Sequence, residues 1–201
     1  MKLYLASASP RRKDLLRQVG LPFKTMPSRV EEHITKTKPD EVVEELSYQK
    51  AVEVCGRLAE TEKGDFCVIG ADTVVASWGE ILGKPVDKED AARMLERLQG
   101  KGHQVYTGVT ICWKYENEPS MFYTFSECTD VTMYSMDADA IQKYVDSGEP
   151  MDKAGAYAIQ GLCAANIQGI CGDYNNVVGL PVGRVYQELK KRGLLDLIIK
   201  R

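Results

Sequence analysis

Two consecutive arginines, Arg11 and Arg12, fall in the first turn of a helix that the sequence predicts to begin at Pro10. The free N–H groups and the dipole at a helix N-terminus disfavour positive side chains there. A phosphate group would accept hydrogen bonds from those N–H groups, and two guanidinium groups could hold it bidentately. The alternative is that both arginines point away from the helix end into solvent.

Lys50 is a second cation in an unusual position. A helical wheel of the segment 39–60 places it between Leu46 and Val54, inside the apolar stripe. A lysine there must either extend its ammonium group to solvent or meet an anion. A further lysine, Lys84, lies at a turn between a glycine and a proline.

Carboxylates that could face these cations occur at two places. Glu31 and Glu32 lie in a polar loop, and Asp72 lies in a strand region behind the small residues Gly70 and Ala71. A carboxylate among apolar neighbours needs a cation or hydrogen-bond donors, because burying it unpaired is costly. A structural salt bridge would satisfy Asp72, and the small residues before it also leave room for a ligand.

Phosphate-binding cations together with carboxylates are what metal-assisted phosphoryl chemistry requires. Mg²⁺ prefers hard oxygen ligands, and Arg and Lys neutralise phosphate oxygens. Spacing alone does not prove such a site. The sequence contains no G-x-x-x-x-G-K-[ST], G-x-G-x-x-G or G-x-S-x-G motif, so the signatures of P-loop, Rossmann and serine hydrolase proteins are absent.

Composition limits the class of protein. The 201 residues predict one domain over 1–201, and 26 basic against 29 acidic residues give a net charge of −3 and a pI near 5.6. That charge disfavours nucleic acid polymers as partners. No apolar run approaches the roughly 18–20 residues of a membrane span, so we expect a cytoplasmic protein without a membrane partner. The six cysteines show no C-x-x-C pair, which favours buried, reduced thiols.

The order of predicted elements interleaves strands and helices and indicates an α/β fold with a mixed sheet. Ser9 is predicted to cap the first helix, and Gly20 to end it. The predicted strands are 2–7, 23–26, 66–77, a short partner ending near Leu82, 103–115 and 121–134. The predicted helices are 10–19, 39–60, 87–98, 137–145 and 181–192.

The segment Leu5–Arg12 (LASASPRR), followed by two leucines, resembles the opening motif of the Maf family of nucleoside triphosphate pyrophosphatases. Further blocks resemble that family in the same order along the chain: Gly70–Val75, Gly83–Pro85, His103–Val109, Gly148–Gly161 and Asn176–Pro181. Together they cover about residues 3–190.

The resemblance implies a fold of the inosine triphosphate pyrophosphatase type, with an elongated mixed sheet flanked by helices and a cleft between two lobes. It implies that water attacks the α-phosphorus of a nucleoside triphosphate, with a divalent cation (Mg²⁺ or Mn²⁺), to give the monophosphate and pyrophosphate. It also implies a homodimer, and a house-cleaning role in removing non-standard nucleotides, together with restraint of cell division.

The resemblance assigns roles to individual residues. Asp72 matches the catalytic carboxylate, and Glu32 and Asp72 match acidic positions near the metal. The phosphate-binding positions are Ser7, Arg12, Lys50 and Lys84. The positions linked to base selection are Arg11, Thr73 and Gln160. The block Asp152–Gly161 resembles the branch that acts on dTTP and UTP, whereas the branch that acts on 7-methyl-GTP differs there.

Two assignments stay open at this stage. Many family members carry an aspartate shortly before the loop glutamate, and here the segment reads Ser28–Glu32, so either Glu31 or Glu32 could face the metal. Asp72 could accept a proton or bind the metal, since an unperturbed aspartate is a weak base near neutral pH. The alternative functions are a nucleotide-sensing regulator of division with little turnover, and a 7-methyl-GTP pyrophosphatase.

Overall fold

The computed structural model describes residues 1–200, which form a mixed α/β fold. The strands are β1 (Lys2–Leu5), β2 (Lys24–Thr25), β3 (Phe66–Ser77), β4 (Glu80–Leu82), β5 (Gly102–Lys114), β6 (Met121–Met133) and β7 (Ile167–Cys171). The α-helices are α1 (Pro10–Gln18), α2 (Pro39–Thr61), α3 (Lys88–Leu98), α4 (Ala138–Asp146), α5 (Tyr174–Val178), α6 (Val182–Lys191) and α7 (Leu194–Ile199). Three short 3-10 helices cover Glu149–Asp152, Ala154–Ala156 and Leu162–Asn166.

The seven strands form one sheet in the order β2-β1-β3-β5-β6-β7, and β4 pairs with β3 beside this path. β1 runs parallel to both β2 and β3, whereas β4 is antiparallel to β3 and β7 is antiparallel to β6. The sheet is therefore mixed, which confirms the predicted fold class.

The chain divides into two compact units. The first unit contains Met1–Asp72, Thr107–Glu127 and the chain from Gly179 onward, and the second contains Thr73–Tyr106 and Cys128–Val178. The single domain over 1–201 and the cleft between two lobes stay predictions.

Helix α2 lies directly against the sheet of the first unit because two glycines allow it. A Cβ atom added at Gly70 of β3 would lie 2.5 Å from the carbonyl oxygen of Ser47, and one at Gly108 of β5 would lie 2.1 Å from that of Val43. Both distances are far inside van der Waals contact, so neither position admits a side chain without movement of the helix. This close packing fixes the distance between the sheet and α2, the helix that carries Lys50.

The apolar core of the first unit lies between α2, β1, β3 and β5. Its buried members are Tyr4, Ala6, Ala51, Val54, Cys55, Leu58, Phe66, Val68 and Cys112. All six cysteines are free, and four of them are buried, as the sequence predicts. Cys128 and Cys171 are instead exposed. Within residues 1–200, none of the helices combines the length and the apolar character needed to cross a membrane.

The helix caps differ in one respect from the prediction. Ser9 is the N-cap residue of α1, as predicted, but its side chain makes no cap hydrogen bond. Its own N–H instead donates to Ser7 Oγ at 3.2 Å. Asp87 and Asp137, predicted as the first residues of helices, are the N-caps of α3 and α4, and each carboxylate accepts a backbone N–H.

Candidate active site

Lys50 connects two carboxylates in the first unit. Its Nζ atom lies 2.5 Å from Asp72 Oδ1 and 2.9 Å from Glu32 Oε1. The side chains of Lys50 and Asp72 are 15% and 16% exposed, whereas that of Glu32 is 47% exposed. Of the two alternatives for Lys50, the structure shows the second, in which the ammonium group meets anions.

The placement of these three residues follows from local structure. Lys50 lies on α2, whose neighbouring residues Leu46 and Val54 are buried against the sheet. Asp72 lies on β3, two residues after Gly70, which packs directly against the backbone of α2. Glu32 lies in the loop before α2 and brings its carboxylate back to the helix. Of the two loop glutamates, Glu32 is therefore the one placed at Lys50 and Asp72.

Arg12 is held from two sides in the same unit. Its Nε donates to the carbonyl oxygen of Gly179 at 2.8 Å, and its NH1 donates to Ser7 Oγ at 3.3 Å. Burial lowers the pKa of Arg12, while the negative charge of Asp72 opposes that shift. Arginine stays protonated in proteins, so Arg12 places a fixed positive charge within electrostatic range of Asp72 and Glu32.

The charges of this cluster are close to balance. The cations are Arg11, Arg12 and Lys50, and the carboxylates are Glu32 and Asp72, which leaves one net positive charge. Arg11 and Arg12 occupy the first turn of α1, where the positive end of the helix dipole also favours an anion. The cluster therefore combines positive groups suited to phosphate oxygens with two carboxylates.

Glu32 and Asp72 provide the oxygen donors that a hard divalent cation needs. Mg²⁺ is commonly held by one or two carboxylates and completes its six ligands with water and substrate phosphates. Two carboxylates that converge on one cation, Lys50 Nζ, fit this pattern. Among the described residues, 1–200, His, Cys, Asp and Glu side chains form no cluster of three or more that could hold a metal ion.

The second unit carries the remaining predicted site residues. Thr73 follows Asp72 on β3 and is half-buried, while Lys84 and Gln160 are exposed. The turn that holds Lys84 is joined to the segment leading to Gln160, since the N–H of Gly155 donates to the carbonyl oxygen of Gly83 at 3.0 Å. The structure therefore connects the loops of these two residues within their own unit.

Some contacts of the site have no signal in the sequence. The carbonyl oxygen that receives Arg12 belongs to Gly179, and backbone acceptors carry no side-chain pattern. Tyr144 and Glu149 hold the segment around Gln160 by bonds to backbone N–H groups. Glu149 lies inside a motif shared with the Maf family, and that motif is the one feature that could have drawn attention to it.

Comparison with known proteins decides the family. The sequence model described as "Maf-like protein" matches residues 2–192. The chain belongs to the Maf-like family. This Maf-like chain is 54% identical over 201 residues to a dTTP/UTP pyrophosphatase of Agathobacter rectalis, an alignment that covers 96% of the chain and 98% of the relative.

Two further relatives carry the same name. A dTTP/UTP pyrophosphatase of Lachnoclostridium phytofermentans is 45% identical, with 98% of each chain covered. One of Carboxydothermus hydrogenoformans is 46% identical, with 96% of the Maf-like chain and 100% of the relative covered. The similarity thus extends over nearly the whole length of each protein.

Proposed function

We propose that this Maf-like protein hydrolyses dTTP and UTP to the nucleoside monophosphate and pyrophosphate. The observation that carries the proposal is the contact of Lys50 with Asp72 and Glu32, two carboxylates that lie within electrostatic range of Arg12. Relatives that share about half of its residues over their full length are named for this reaction. Modified pyrimidine triphosphates would fit the same chemistry and are included in the proposal.

The triphosphate is the part of the substrate that the basic residues would hold. Arg12 has a fixed position, since Gly179 and Ser7 accept its hydrogen bonds, so its positive charge can act on a phosphate with little further loss of side-chain freedom. In this proposal Ser7, Arg12, Lys50 and Lys84 bind phosphate oxygens. Positive groups placed in advance stabilise the charge that develops on phosphate oxygens in the transition state.

Glu32 and Asp72 would hold a divalent cation, Mg²⁺ or Mn²⁺, which, when bound, polarises phosphate oxygens as a Lewis acid. Lys50 keeps these two carboxylates together before substrate arrives. Asp72 would either accept the proton of the attacking water or serve as a ligand of the cation. Both roles need a carboxylate at position 72.

The remaining assignments rest on the family resemblance. Arg11, Thr73 and Gln160 would select the base. The physiological role would be to remove non-standard nucleotides and to restrain cell division, and the protein would act as a cytoplasmic homodimer.

The experiment that tests the proposal is a panel of nucleoside triphosphates, with pyrophosphate and orthophosphate detected separately. The panel contains dTTP, UTP, CTP, ATP, GTP, 7-methyl-GTP and 5-methyl-UTP, each with Mg²⁺, with Mn²⁺ or with a chelator. Pyrophosphate release from dTTP and UTP that depends on the cation supports the proposal. Nucleotide binding by calorimetry without turnover would instead support a nucleotide sensor, and preference for 7-methyl-GTP would support the other enzyme branch.

A further inference from the structure

Gln160 occupies a tight turn in the second unit. The N–H of Gly161 donates to the carbonyl oxygen of Ala158 at 3.2 Å, which closes the turn around Ile159 and Gln160. Ala158 and Ile159 are buried, whereas Gln160 is exposed at the tip. The direction of the Gln160 side chain therefore depends on how the two ends of this turn are anchored.

Two side chains anchor those ends. The hydroxyl of Tyr144 accepts the N–H of Ala158 at 3.1 Å and donates to Glu149 Oε1 at 2.8 Å. The other carboxylate oxygen, Oε2, accepts the N–H of Leu162 at 3.0 Å. Tyr144 and Glu149 thus form a continuous bridge from the residue at the start of the turn to the residue just after it. We refer to this pair as the turn clamp.

Backbone geometry brings Glu149 to this position. Tyr144 lies in the last part of α4, and Gly148 follows the helix with a φ of 77°, a left-handed value that glycine adopts without strain. The backbone turns at Gly148, and this change of direction brings Glu149 back towards Tyr144. Gly161 lies against the carboxylate so closely that an added Cβ would be 2.3 Å from either oxygen. A side chain at position 161 would therefore displace the carboxylate of Glu149 from this position.

The clamp depends on a hydroxyl that stays protonated. Tyr144 is 6% exposed. Burial, and secondarily the hydrogen bond to Glu149, raises the pKa of Tyr144 far above the physiological range. Removing the hydroxyl would leave the buried N–H of Ala158 without this acceptor and Glu149 Oε1 without this donor, and unmade hydrogen bonds of buried groups are costly.

We propose that Tyr144 and Glu149 are positioning residues for base selection, because their side chains hold both ends of the turn that presents Gln160. The inference rests on the proposed function, in which Gln160 selects the base. Small displacements of a selecting group change discrimination between substrates more than they change the handling of the shared triphosphate. Loss of the clamp should therefore alter preference among bases.

The test compares Tyr144→Phe and Glu149→Gln with the wild-type protein. Amide hydrogen exchange is measured first, since it needs no nucleotide. We expect exchange of the amides of Ala158 and Leu162 to rise at least tenfold in Tyr144→Phe, with α3 and β5 unchanged. We expect the ratio of kcat/KM for UTP over CTP to fall about fivefold or more in both variants. Inhibition by inorganic triphosphate should change less than twofold.

Tyr134→Phe and Glu96→Gln are the matched controls, because both side chains are exposed and distant in sequence from the turn. They should match the wild-type protein in hydrogen exchange, in base preference and in inhibition by triphosphate.

Unchanged exchange at the turn in Tyr144→Phe, or equal losses of kcat/KM for all bases, would overturn the inference. If the wild-type protein binds nucleotides without hydrolysing them, the proposed function fails. The preference for UTP over CTP is then measured as the ratio of their dissociation constants by binding calorimetry. If Tyr144→Phe fails to fold, the ratio of kcat/KM for UTP over CTP in Glu149→Gln decides the inference.

Discussion

The ammonium group of Lys50 lies 2.5 Å from the carboxylate of Asp72 and joins helix α2 to strand β3. It also lies 2.9 Å from Glu32. A single cation thereby holds two carboxylates from separate parts of the chain at one point. This arrangement keeps two like charges close together. In the proposed function they are the acidic pair that would hold a divalent cation.

Replacing Lys50 by methionine should damage both activity and stability. Without the ammonium group, the largely buried Asp72 loses its ion pair, which should lower the free energy of unfolding by about 1–3 kcal/mol. The kcat/KM for UTP should fall about 10²-fold. Urea unfolding and pyrophosphate release measure the two effects. Lys88→Met, which breaks a mostly exposed ion pair with Asp146, should leave activity as it is, and equal losses in both variants would refute a special role for Lys50.

The two loop glutamates should behave differently. Glu32 reaches Lys50 and Glu31 is its direct neighbour, so Glu32→Gln and Glu31→Gln change the same charge at adjacent positions. If Glu32 holds the cation as proposed, loss of its negative charge in Glu32→Gln should raise the Mg²⁺ concentration for half-maximal activity about tenfold or more. Activity is titrated with Mg²⁺ for each variant. The interpretation fails if Glu31→Gln shows the larger shift.

Gly70 should be intolerant of even one methyl group. In Gly70→Ala the new Cβ would meet the Ser47 carbonyl oxygen at 2.5 Å and Ala51 Cβ at 2.9 Å, so α2 must move away from β3. We expect a loss of about 1–3 kcal/mol in unfolding free energy and a lower kcat, because Lys50 moves with the helix. Gly56→Ala, on α2 itself, is the control, since an added Cβ there meets nothing within 4 Å. It should be stabilising by up to about 1 kcal/mol, and a similar response of the two variants in urea unfolding would contradict the packing argument.

Stability should depend on pH through His103. Its side chain is 4% exposed, and burial lowers its pKa to about 4. The unfolded state, with an ordinary pKa near 6.5, therefore binds more protons between about pH 6.5 and 4. Stability from this residue is complete above about pH 7 and falls by about 2 kcal/mol between pH 7 and 5.

The matched pair His103→Gln and His33→Gln tests this dependence, since the sequence contains only these two histidines. His103→Gln should flatten the pH profile of the unfolding free energy between pH 7 and 5, and the exposed His33 should not influence it. The introduced amide retains a polar group for the hydroxyl of Tyr157, which lies 2.8 Å from His103 Nε2. An unaltered slope in His103→Gln would assign the dependence to other groups.

Much of the fold could be predicted from periodicity. The predicted strand 66–77 matches β3, and the predicted helix 39–60 matches α2 to within one residue. A nearly continuous apolar run in the strand and a long apolar stripe on the helix gave these elements a clear signal. β7 was not predicted, because Ile167–Cys171 is short, contains a central glycine and exists through its pairing with β6. The apolar run of α7 has no polar face and likewise gave no helical period.

The site was only partly predictable for a physical reason. The sequence indicates that Lys50 lies in an apolar stripe and Asp72 in a buried strand, so each residue needs a partner of opposite charge. The sequence does not indicate that the two residues are each other's partner. Their contact depends on the close approach of α2 at Gly70, which is a tertiary feature. The contact between Tyr144 and Ala158 uses a backbone N–H, and almost any residue type could supply one. Side-chain patterns therefore predict the charged residues of the site better than the backbone contacts that position them.

The most direct test follows the oxygen of the attacking water in wild-type protein and in Asp72→Asn. UTP is hydrolysed with Mg²⁺ in ¹⁸O-labelled water, and UMP, pyrophosphate and orthophosphate are analysed by mass spectrometry. The account predicts one labelled oxygen in UMP, unlabelled pyrophosphate, and a rate that is lower by about 10²-fold or more in Asp72→Asn. Label in pyrophosphate or orthophosphate instead of UMP, or an Asp72→Asn rate within about threefold of wild type, would contradict it.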